Sequence, residues 1–350
     1  MNAMAKQEQQ PKPVQPHGRA RLQVFVRAVT RQGEDINAYE VVDPAGKLLP
    51  AFEAGSHIDV DVPGEAGLVR QYSLCGDPED RSRYLFAVQR EPGGRGGSKA
   101  IHERVHVNST LTISEPRNNF ALRPSARRHL LLAGGIGITP MMAMLRHLQR
   151  TGAEYTLHYC TRSPSRTAFL DILQPFIAEG RVSIHWDNGN PADGLDVKAT
   201  LSAYGEGTHL YYCGPPGFMG AVAAASAHWP SGTTHREFFT PSANDPAIPS
   251  QSPAEPAAAQ TELGSKFQVR LARSGQTLDI PEDKTILQVL RENDVSVETS
   301  CELGVCGTCR TRVLEGQPDH RDFVLEAQEQ QSEMTVCCSR SKTPLIVLDL

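Results

Sequence analysis

Five of the eight cysteines lie in the last 50 residues, and three of them have the spacing of a metal-cluster site. Cys301, Cys306 and Cys309 form the pattern C-x4-C-x2-C. This is the spacing of a plant-type [2Fe–2S] site, which takes a fourth cysteine from further along the chain. Gly304 and Gly307 allow the loop to curl tightly around a cluster. A structural zinc site usually pairs two C-x2-C knuckles, and this sequence has only one.

The fourth cluster ligand is Cys337 or Cys338, which are adjacent in a segment that we predict to be a strand. Side chains of adjacent strand residues point to opposite faces, so only one of the two thiols could reach the iron. The other would be a small buried hydrophobic side chain. The spacing of the cysteines leaves this choice open.

A second group of residues suits a flavin. Arg70, Tyr72 and Ser73 belong to the pattern R-x-Y-S-L on a predicted strand. Arg70 and Tyr72 share one face of that strand, so the ring could stack on an isoalloxazine while the guanidinium pairs with a phosphate. Ser73 could hydrogen-bond the flavin edge. The alternative is an ordinary surface arginine beside a core tyrosine.

A glycine-rich segment downstream supports the flavin interpretation. It runs from Pro92 to Lys99 and includes Gly97 and Ser98. Backbone N–H groups in such a segment can form an anion-binding nest. A plain hairpin loop is the alternative. The order of the two segments resembles that of ferredoxin-reductase-like flavoproteins.

A loop that follows a predicted buried strand suits the pyrophosphate of a nicotinamide nucleotide. It contains Gly135, Gly137, Thr139 and Pro140. We predict Thr139 as the helix N-cap and Pro140 as the first helical residue. The start of the helix would present N–H groups and its positive dipole end to the anion. The loop differs from the Rossmann pattern G-x-G-x-x-G.

Two further loops follow predicted strands of the same sheet. Thr161 and Arg162 lie in one, where serine and arginine residues could hold a 2′-phosphate and no aspartate would reject it. Cys213, Gly214 and Pro215 form the other. Since parallel strands present their carboxyl ends at one edge, we expect the three loops to meet there. Cys213 could instead be an inert core thiol.

Several structural units are needed to position these residues. Short β-rich runs separated by glycine and proline predict an antiparallel barrel over residues 19–124. These runs include Leu22–Val29, His57–Val62, Arg70–Leu74, Tyr84–Gln89 and Thr110–Ser114.

Apolar strands that alternate with helical patterns predict an α/β unit with a parallel sheet over residues 125–240. The predicted strands are His129–Ala133, Thr156–Cys160 and His209–Cys213, each followed by a predicted helix, from Pro140, around Ala168–Glu179 and around Gly217–His228. Residues 241–264, rich in proline and alanine, are predicted to be a linker, and residues 1–18 a disordered tail. The last unit, residues 265–350, is predicted to be a small α+β unit. Its predicted elements are a hairpin of Phe267–Ala272 and Gln276–Ile280, a short helix at Ile286–Glu292, and strands near Met334–Cys338 and Leu345–Leu348.

Composition limits the classes of function. The net charge of the 350 residues is −5, which gives no reason to expect a nucleic-acid partner. No apolar run reaches the ~20 residues that span a bilayer, and the N-terminus lacks the apolar core of a signal peptide. We therefore expect a cytoplasmic protein. Residues 265–350 hold 10 Lys and Arg against 14 Asp and Glu, which could steer this unit towards a basic partner or could be an ordinary soluble surface.

These motifs together resemble the phthalate dioxygenase reductase family, which includes vanillate O-demethylase reductases. The resemblance runs from about Arg19 to the C-terminus and breaks only in the linker. It implies a ferredoxin-reductase-like pair of flavin and nucleotide domains followed by a β-grasp ferredoxin domain. It also implies FMN as the flavin and NADH as the preferred coenzyme, with NADPH possible. The segment Val336–Arg340 fits the family's V-C-x-S-R, which implies Cys337 as the fourth cluster ligand.

The resemblance also implies roles for residues around the flavin. Ala87, Val88 and Gln89 would run along it. Cys213 would sit beside the nicotinamide, and Phe239 would cover the flavin near the hydride path. We therefore expect Ser73, Cys213 and Phe239 at the reacting centre.

By the same resemblance the protein is a monomeric reductase whose electrons go to a separate oxygenase. That oxygenase would carry a Rieske centre and a mononuclear iron and would act on an aromatic acid or an aryl methyl ether. Two alternatives remain open. The same electron path could feed another acceptor such as a cytochrome P450. A protein of a different class would be a redox-sensing iron–sulfur protein with a vestigial nucleotide domain.

Overall fold

The structure is a computed structural model that describes residues 21–65, 68–93, 96–239, 266–299, 301–325 and 328–350. The predicted N-terminal tail, residues 1–18, and the predicted linker, residues 241–264, lie outside the described residues. Among the helices that are described, none combines the length and the apolar character needed to cross a membrane.

The first part of the chain forms an antiparallel barrel. Its strands are β1 (Arg21–Gly33), β2 (Ile36–Val42), β3 (Ser56–Asp61), β4 (Val69–Ser73), β5 (Tyr84–Gln89), β6 (Thr110–Ser114) and β7 (Arg117–Asn118), with helix α1 (Gly97–Arg104) before β6. The strands pair in the order β4-β3-β6-β1-β2-β5, and β7 pairs with β3. A bridge between Leu74 and Phe86 joins the two ends of this order and closes the barrel.

Buried and more exposed residues alternate along these segments, which explains why they form strands around one core. In β6, Leu111 and Ile113 are buried while Thr110 and Thr112 are not. The predicted strands of this part are confirmed, and β5 has the predicted bounds. The sequence prediction missed β2, which pairs with both β1 and β5.

The second part is a parallel sheet with helices between its strands. The strands are β8 (Arg128–Gly134), β9 (Glu154–Thr161), β10 (Val182–Trp186), β11 (Thr208–Cys213) and β12 (Thr234–Glu237), in the order β10-β9-β8-β11-β12. The helices are α2 (Ile138–Thr151), α3 (Leu170–Ala178), α4 (Val197–Leu201) and α5 (Pro216–Ala225), with 3₁₀ turns at Gly135–Gly137, Pro164–Arg166 and Pro191–Asp193. This arrangement confirms the predicted α/β class, although β10, α4 and β12 were not predicted.

The start of helix α2 differs from the prediction. The helix begins at Ile138, directly after the 3₁₀ turn that starts at Gly135, so Thr139 is its second residue and not its N-cap. The Thr139 hydroxyl donates to the carbonyl of Ile136 at 3.0 Å. Pro140 still lies in the first helical turn, where a missing N–H costs no hydrogen bond.

The third part is a small mixed unit. It contains β13 (Phe267–Leu271), β14 (Thr277–Ile280), α6 (Ile286–Glu292), β15 (Arg310–Glu315), β16 (Pro318–Asp319), β17 (Glu333–Thr335), β18 (Arg340–Ser341) and β19 (Leu345–Leu348), with a 3₁₀ turn at Glu329–Gln331. Its main sheet has the order β14-β13-β19-β15-β17, and β19 runs parallel to β13. Helix α6 has its predicted bounds because Thr285 and Gln288 form a reciprocal capping box.

The predicted strand at Met334–Cys338 is wrong in its second half. Strand β17 ends at Thr335, and Cys337 and Cys338 lie in the turn that follows. The reason is that the backbone turns back, with the N–H of Ser339 donating to the carbonyl of Thr335 at 3.0 Å. Alternation of side chains along a strand therefore does not apply to the two thiols.

The cores tie the three units together. One continuous apolar cluster includes residues of both the barrel and the parallel sheet, such as Ile113 and Leu131. A second cluster lies within the third unit around Val269. A third lies on the other face of the parallel sheet, and Val305 and Phe323 of the third unit pack against it. The loop with the cysteines is therefore held against the rest of the protein.

Candidate flavin, nucleotide and cluster site

The three units meet around one cleft. It encloses about 750 Å³, its open mouth included. Its lining combines barrel residues, the segment after β12 and the cysteine loop, among them Arg70, Gln71, Ser73, Glu237, Phe239, Cys301, Leu303 and Cys306. The structure thus brings together predicted flavin residues and predicted cluster ligands.

Arg70 lies beside the start of helix α1. A Cβ added to Gly97 would come within 2.8 Å of the Arg70 Nε, so only glycine allows this approach. Gly96 precedes the helix in the left-handed region, with φ 86°, and no side chain caps the helix start. The first N–H groups of α1 and the guanidinium together suit the phosphate of a flavin.

The predicted glycine-rich loop is partly helical. From Gly97 onward the chain forms α1, which the sequence prediction missed because glycine has a low helix propensity. Ser98 contributes to the loop itself, since its Oγ accepts a hydrogen bond from the N–H of Glu91 at 3.1 Å.

Tyr72 does not line the cleft with Arg70. Its ring stacks on Phe86, with centroids 5.5 Å apart and an interplanar angle of 26°, and Phe86 stacks in turn on Tyr39. Burial raises the pKa of the Tyr72 phenol. The structure therefore places Tyr72 in the aromatic wall of the barrel.

Ala87, Val88 and Gln89 form the end of β5, next to the bridge that closes the barrel. Ala87 and Val88 are buried, and Gln89 is half-buried. The Val88 carbonyl lies 2.8 Å from Nε2 of His102 in α1. None of the three lines the cleft, although their strand adjoins β4, which does.

Ser73 touches an acid that the sequence prediction did not single out. Its hydroxyl donates to Glu237 Oε2 at 3.0 Å, and His57 Nδ1 lies 3.9 Å from the other carboxylate oxygen. The Glu237 side chain is only 13% exposed, and burial raises its pKa to about 7. A carboxyl group that changes its charge near neutral pH therefore lies in the cleft wall.

Phe239 and Cys213 lie on either side of this acid. Phe239 lines the cleft. Cys213 is fully buried and pairs with Glu237 across β11 and β12, outside the cleft lining. Burial raises the pKa of its thiol far above the usual range, so it is a neutral thiol and not a nucleophile.

The two glycine-containing loops of the parallel sheet contact each other backbone to backbone. A Cβ on Gly137 would lie 2.1 Å from the carbonyl oxygen of Cys213. A Cβ on Gly214 would lie 3.0 Å from the Cα of Gly134, and one on Gly134 would lie 2.9 Å from Pro215. These glycines are required by packing, and the loops meet at the carboxyl edge of the sheet as predicted.

The loop after β9 contains one free and one paired arginine. Arg162 is exposed and has no hydrogen bond or ion pair within the described ranges. Arg166 pairs with Glu34 of the barrel at 3.0 Å. Thr161 is buried, with its hydroxyl 2.8 Å from that of Thr167. Of these residues, Arg162 is the one available to a phosphate.

The four predicted cluster ligands form two pairs. The thiol of Cys301 lies beside that of Cys306 and that of Cys337 lies beside that of Cys309, and in each pair the neighbouring thiol raises the pKa of the first-named one. In the part of the chain that is described, no three metal-binding side chains converge on one metal position. Two pairs of thiolates suit two irons, so the residues fit a [2Fe–2S] cluster better than a single ion. The N–H of Leu303 points at Cys301 Sγ, as a donor that tunes a cluster would.

Cys338 is closer to the cluster ligands than the sequence prediction allowed. Its thiol lies beside that of Cys337, which lowers its pKa, and 3.1 Å from Thr335 Oγ1. A Cβ on Gly304 would come within 2.6 Å of Cys338 Sγ. The pairing with Cys309 favours Cys337 as the ligand.

Two contacts from the barrel to the cysteine loop were also missed. Arg117 donates to the hydroxyl of Thr308 at 2.9 Å, and Asn119 donates to the carbonyl of Cys306 at 2.6 Å. No local pattern identifies them, since their partners lie 191 and 187 residues away in the sequence.

Comparison with known proteins agrees with this geometry. Residues 269–342 match the family model of the 2Fe-2S iron-sulfur cluster binding domain, and residues 131–224 match that of the oxidoreductase NAD-binding domain. The chain is 49% identical to the tert-butanol monooxygenase / tert-amyl alcohol desaturase reductase subunit of Aquincola tertiaricarbonis, covering 94% of this chain and 96% of the relative. It is 44% identical to the vanillate O-demethylase oxidoreductase of Pseudomonas sp. (strain HR199 / DSM 7063), covering 94% and 100%.

Two solved structures resemble the whole chain. The structure of phthalate dioxygenase reductase matches with a TM-score of 0.67 and 40% identity, covering 94% of this chain and 98% of that one. An intact type IV self-sufficient cytochrome P450 monooxygenase matches with a TM-score of 0.82 and 36% identity. That match covers 98% of this chain but 43% of the other.

Proposed function

We infer that this chain, which belongs to the phthalate dioxygenase reductase family of iron–sulfur flavoprotein oxidoreductases, supplies electrons to a separate oxygenase with a Rieske centre and a mononuclear iron. Its cofactors are FMN and a [2Fe–2S] cluster, and its electron donor is a reduced nicotinamide nucleotide. When bound, FMN takes up two electrons as a hydride and releases them singly, and the cluster carries one at a time.

The observation that carries this proposal is the shared cleft. Arg70 and Ser73 of the barrel, Phe239 of the parallel-sheet unit and Cys306 of the cysteine loop all line it. A flavin seated there would meet the segment after β12 and the loop that carries Cys306. Neither a flavin-only nor a cluster-only protein needs this convergence.

Each of the three structural units would bind one of the redox groups. We assign flavin binding to residues 19–124, nucleotide binding to residues 125–240 and the cluster to residues 265–350. Arg70 and the start of α1 would hold the flavin phosphate. The loops around Gly137 and Gly214 would seat the pyrophosphate and the nicotinamide.

We assign roles at the reacting centre to residues that line the cleft or lie beside it. Ser73 and the acid it contacts would hold a proton at the flavin edge. Phe239 would cover the flavin until a nicotinamide displaces its ring. Cys213 would support the nicotinamide as a neutral thiol. Cys301, Cys306, Cys309 and Cys337 would bind the cluster.

Absorbance titration tests the proposal. Purified protein titrated anaerobically with NADH should lose flavin and cluster absorbance together, and cytochrome c should then be reduced steadily. Cys306→Ala should lose the cluster and cytochrome c reduction while FMN reduction by NADH persists. Retention of an unchanged cluster spectrum in Cys306→Ala, or a flavin that NADH leaves oxidised, would refute the proposal.

The nature of the acceptor and the assembly state need separate measurements. We propose an oxygenase acting on an aromatic acid or an aryl methyl ether and a reductase that works as a monomer. Light scattering after size exclusion measures the assembly state. Product formation with candidate oxygenases, each given NADH and this reductase, identifies the acceptor.

A cytochrome P450 is the second candidate acceptor. The observation that favours it is the match of nearly this whole chain to part of a self-sufficient P450. A P450 acceptor would show the ferrous carbon monoxide band when NADH, this reductase and the P450 are mixed anaerobically under carbon monoxide. A Rieske oxygenase would instead show reduction of its Rieske spectrum under the same conditions.

A further inference from the structure

A buried arginine joins the barrel to the cysteine loop. Arg117 forms an ion pair with Asp59 of β3, with 2.5 Å between Nη2 and Oδ1, and both side chains are about nine-tenths buried. Its other terminal nitrogen donates to the Thr308 hydroxyl at 2.9 Å. One guanidinium thus bridges a barrel carboxylate and the loop that carries the cluster ligands, a geometry that the planar fork of arginine permits.

The loop side of this bridge ends on a cluster ligand. Cys306 Sγ lies 3.1 Å from the Thr308 hydroxyl and 3.4 Å from the Thr308 nitrogen. Asn119, two residues after Arg117, donates to the Cys306 carbonyl at 2.6 Å. The two barrel side chains therefore hold a predicted cluster ligand that lines the cleft.

The barrel side of the bridge ends in the cleft wall. Gln71 donates to Asp59 Oδ1 at 3.1 Å, and Gln71 lines the cleft between Arg70 and Ser73. A chain of polar contacts therefore runs from the flavin strand through Asp59, Arg117 and Thr308 to Cys306. Such a chain fixes the distance between the strand and the thiolate.

We propose that Arg117, with Asn119, is a positioning residue that docks the cluster loop at electron-transfer distance from the flavin. In the step it supports, one electron leaves the reduced flavin and one enters the cluster, and Arg117 exchanges neither an electron nor a proton. A buried ion pair contributes little net stability, whereas it can select one geometry. The inference rests on the proposed electron path, and it adds the residues that set the distance between the flavin and the cluster.

Three variants test the docking role. Thr308→Val removes the hydroxyl that Arg117 contacts, Asn119→Ala removes the second contact, and Arg117→Lys keeps the charge but loses the fork. In each, stopped-flow reduction of the flavin by NADH should keep its rate. Reduction of the cluster by the flavin should slow about tenfold or more, because misplacement of a reacting group is costly.

A structural readout accompanies the kinetics. Hydrogen exchange of peptides around residues 303–309 should rise in all three variants of the fully loaded protein, since the loop loses its barrel contacts. Thr308→Ser keeps the hydroxyl and should restore both the exchange protection and the electron-transfer rate. In the Thr308→Val background, Arg117→Lys should add little further effect, because the contact between the two residues is already lost.

The control is Arg128→Ala, which breaks an exposed ion pair with Glu154 at the far end of β8 and should leave both rates unchanged. Parent-like cluster reduction and parent-like exchange in Thr308→Val and Arg117→Lys would overturn the docking role. A parent protein whose flavin does not reduce its cluster at all would instead refute the proposed function. Should Arg117→Lys fail to fold, Thr308→Val decides, because it leaves the Arg117–Asp59 pair intact.

Discussion

Ser73 at the end of β4 donates a hydrogen bond to Glu237 at the end of β12, and this contact joins two structural units across 164 residues of sequence. The acid is buried in the cleft wall, beside the predicted path of the hydride. Its protonation state sets the charge that a reacting flavin would meet.

We predict that flavin reduction depends on pH through Glu237. The carboxyl group, with its pKa raised to about 7 by burial, is neutral below that pH and anionic above it. A negative charge opposes the arrival of a hydride, so the rate should fall several-fold as pH rises through about 7. Stopped-flow rates of Glu237→Gln should be flat over this range. The exposed Glu206→Gln serves as the control, and a pH step that survives in Glu237→Gln would contradict the assignment.

Protein stability should respond to the same group. The folded protein keeps the Glu237 proton up to about pH 7, whereas the unfolded chain releases it near the usual carboxyl value of 4.5. Between these pH values the folded state binds more protons, so its stability should fall as pH rises, by up to about 3 kcal/mol. Urea unfolding at pH 5 and pH 8 measures this loss. Glu237→Gln should show a smaller loss than the parent over the same interval.

The two adjacent thiols near the C-terminal end should behave differently. Cys337→Ala should remove a ligand that pairs with Cys309 and abolish the cluster, as iron and sulfide analysis would show. Cys338→Ala should keep the cluster, because it is the Cys337 thiol that lies beside Cys309, while the Cys338 thiol lies 3.1 Å from Thr335 Oγ1. The reverse pattern would show that the turn presents Cys338 to the iron.

Coenzyme choice should depend on the unpaired arginine after β9. Arg162→Ala removes the exposed guanidinium available to a 2′-phosphate, so kcat/KM for NADPH should fall about tenfold while that for NADH changes little. Arg166→Ala is the matched control, since Arg166 already pairs with Glu34. Equal losses with both coenzymes would show that Arg162 contacts a part that they share.

Gly137 should tolerate no side chain. Gly137→Ala places a Cβ 2.1 Å from the Cys213 carbonyl oxygen, so the two loops must separate. We expect a loss of stability of about 1–3 kcal/mol and weaker NADH binding, measured by thermal unfolding and by titration. Gly217→Ala in α5 has nothing within 4 Å and should be neutral or slightly stabilising.

Local patterns in the sequence predicted much of the fold. Strand β5 and helix α6 have their predicted bounds because alternation and a capping box are local signals. Helix α1 was missed because it begins with glycine, and the turn at Cys337 was missed because apolar residues precede it. The turn forms because the N–H of Ser339 donates to the carbonyl of Thr335, a local hydrogen bond that the pattern of apolar residues does not reveal.

The residues of the candidate site also fall into those that the sequence predicts and those that it does not. The cysteine spacing and the glycine loops could be predicted because each motif consists of residues that lie close together in the sequence. Glu237 and Arg117 could not, since their roles come from partners more than 160 residues away. Tyr72 had the expected residue type, but its ring packs on Phe86.

Strand β19 lies in the middle of the third sheet, between β13 and β15. It follows the cysteine loop by more than 30 residues in the sequence. A ribosome that has just completed the three clustered cysteines has therefore not yet made this strand. The centre of the third sheet is complete only after translation has passed Leu348, so a nonsense codon upstream of β19 would leave the cysteine loop on an unfinished sheet.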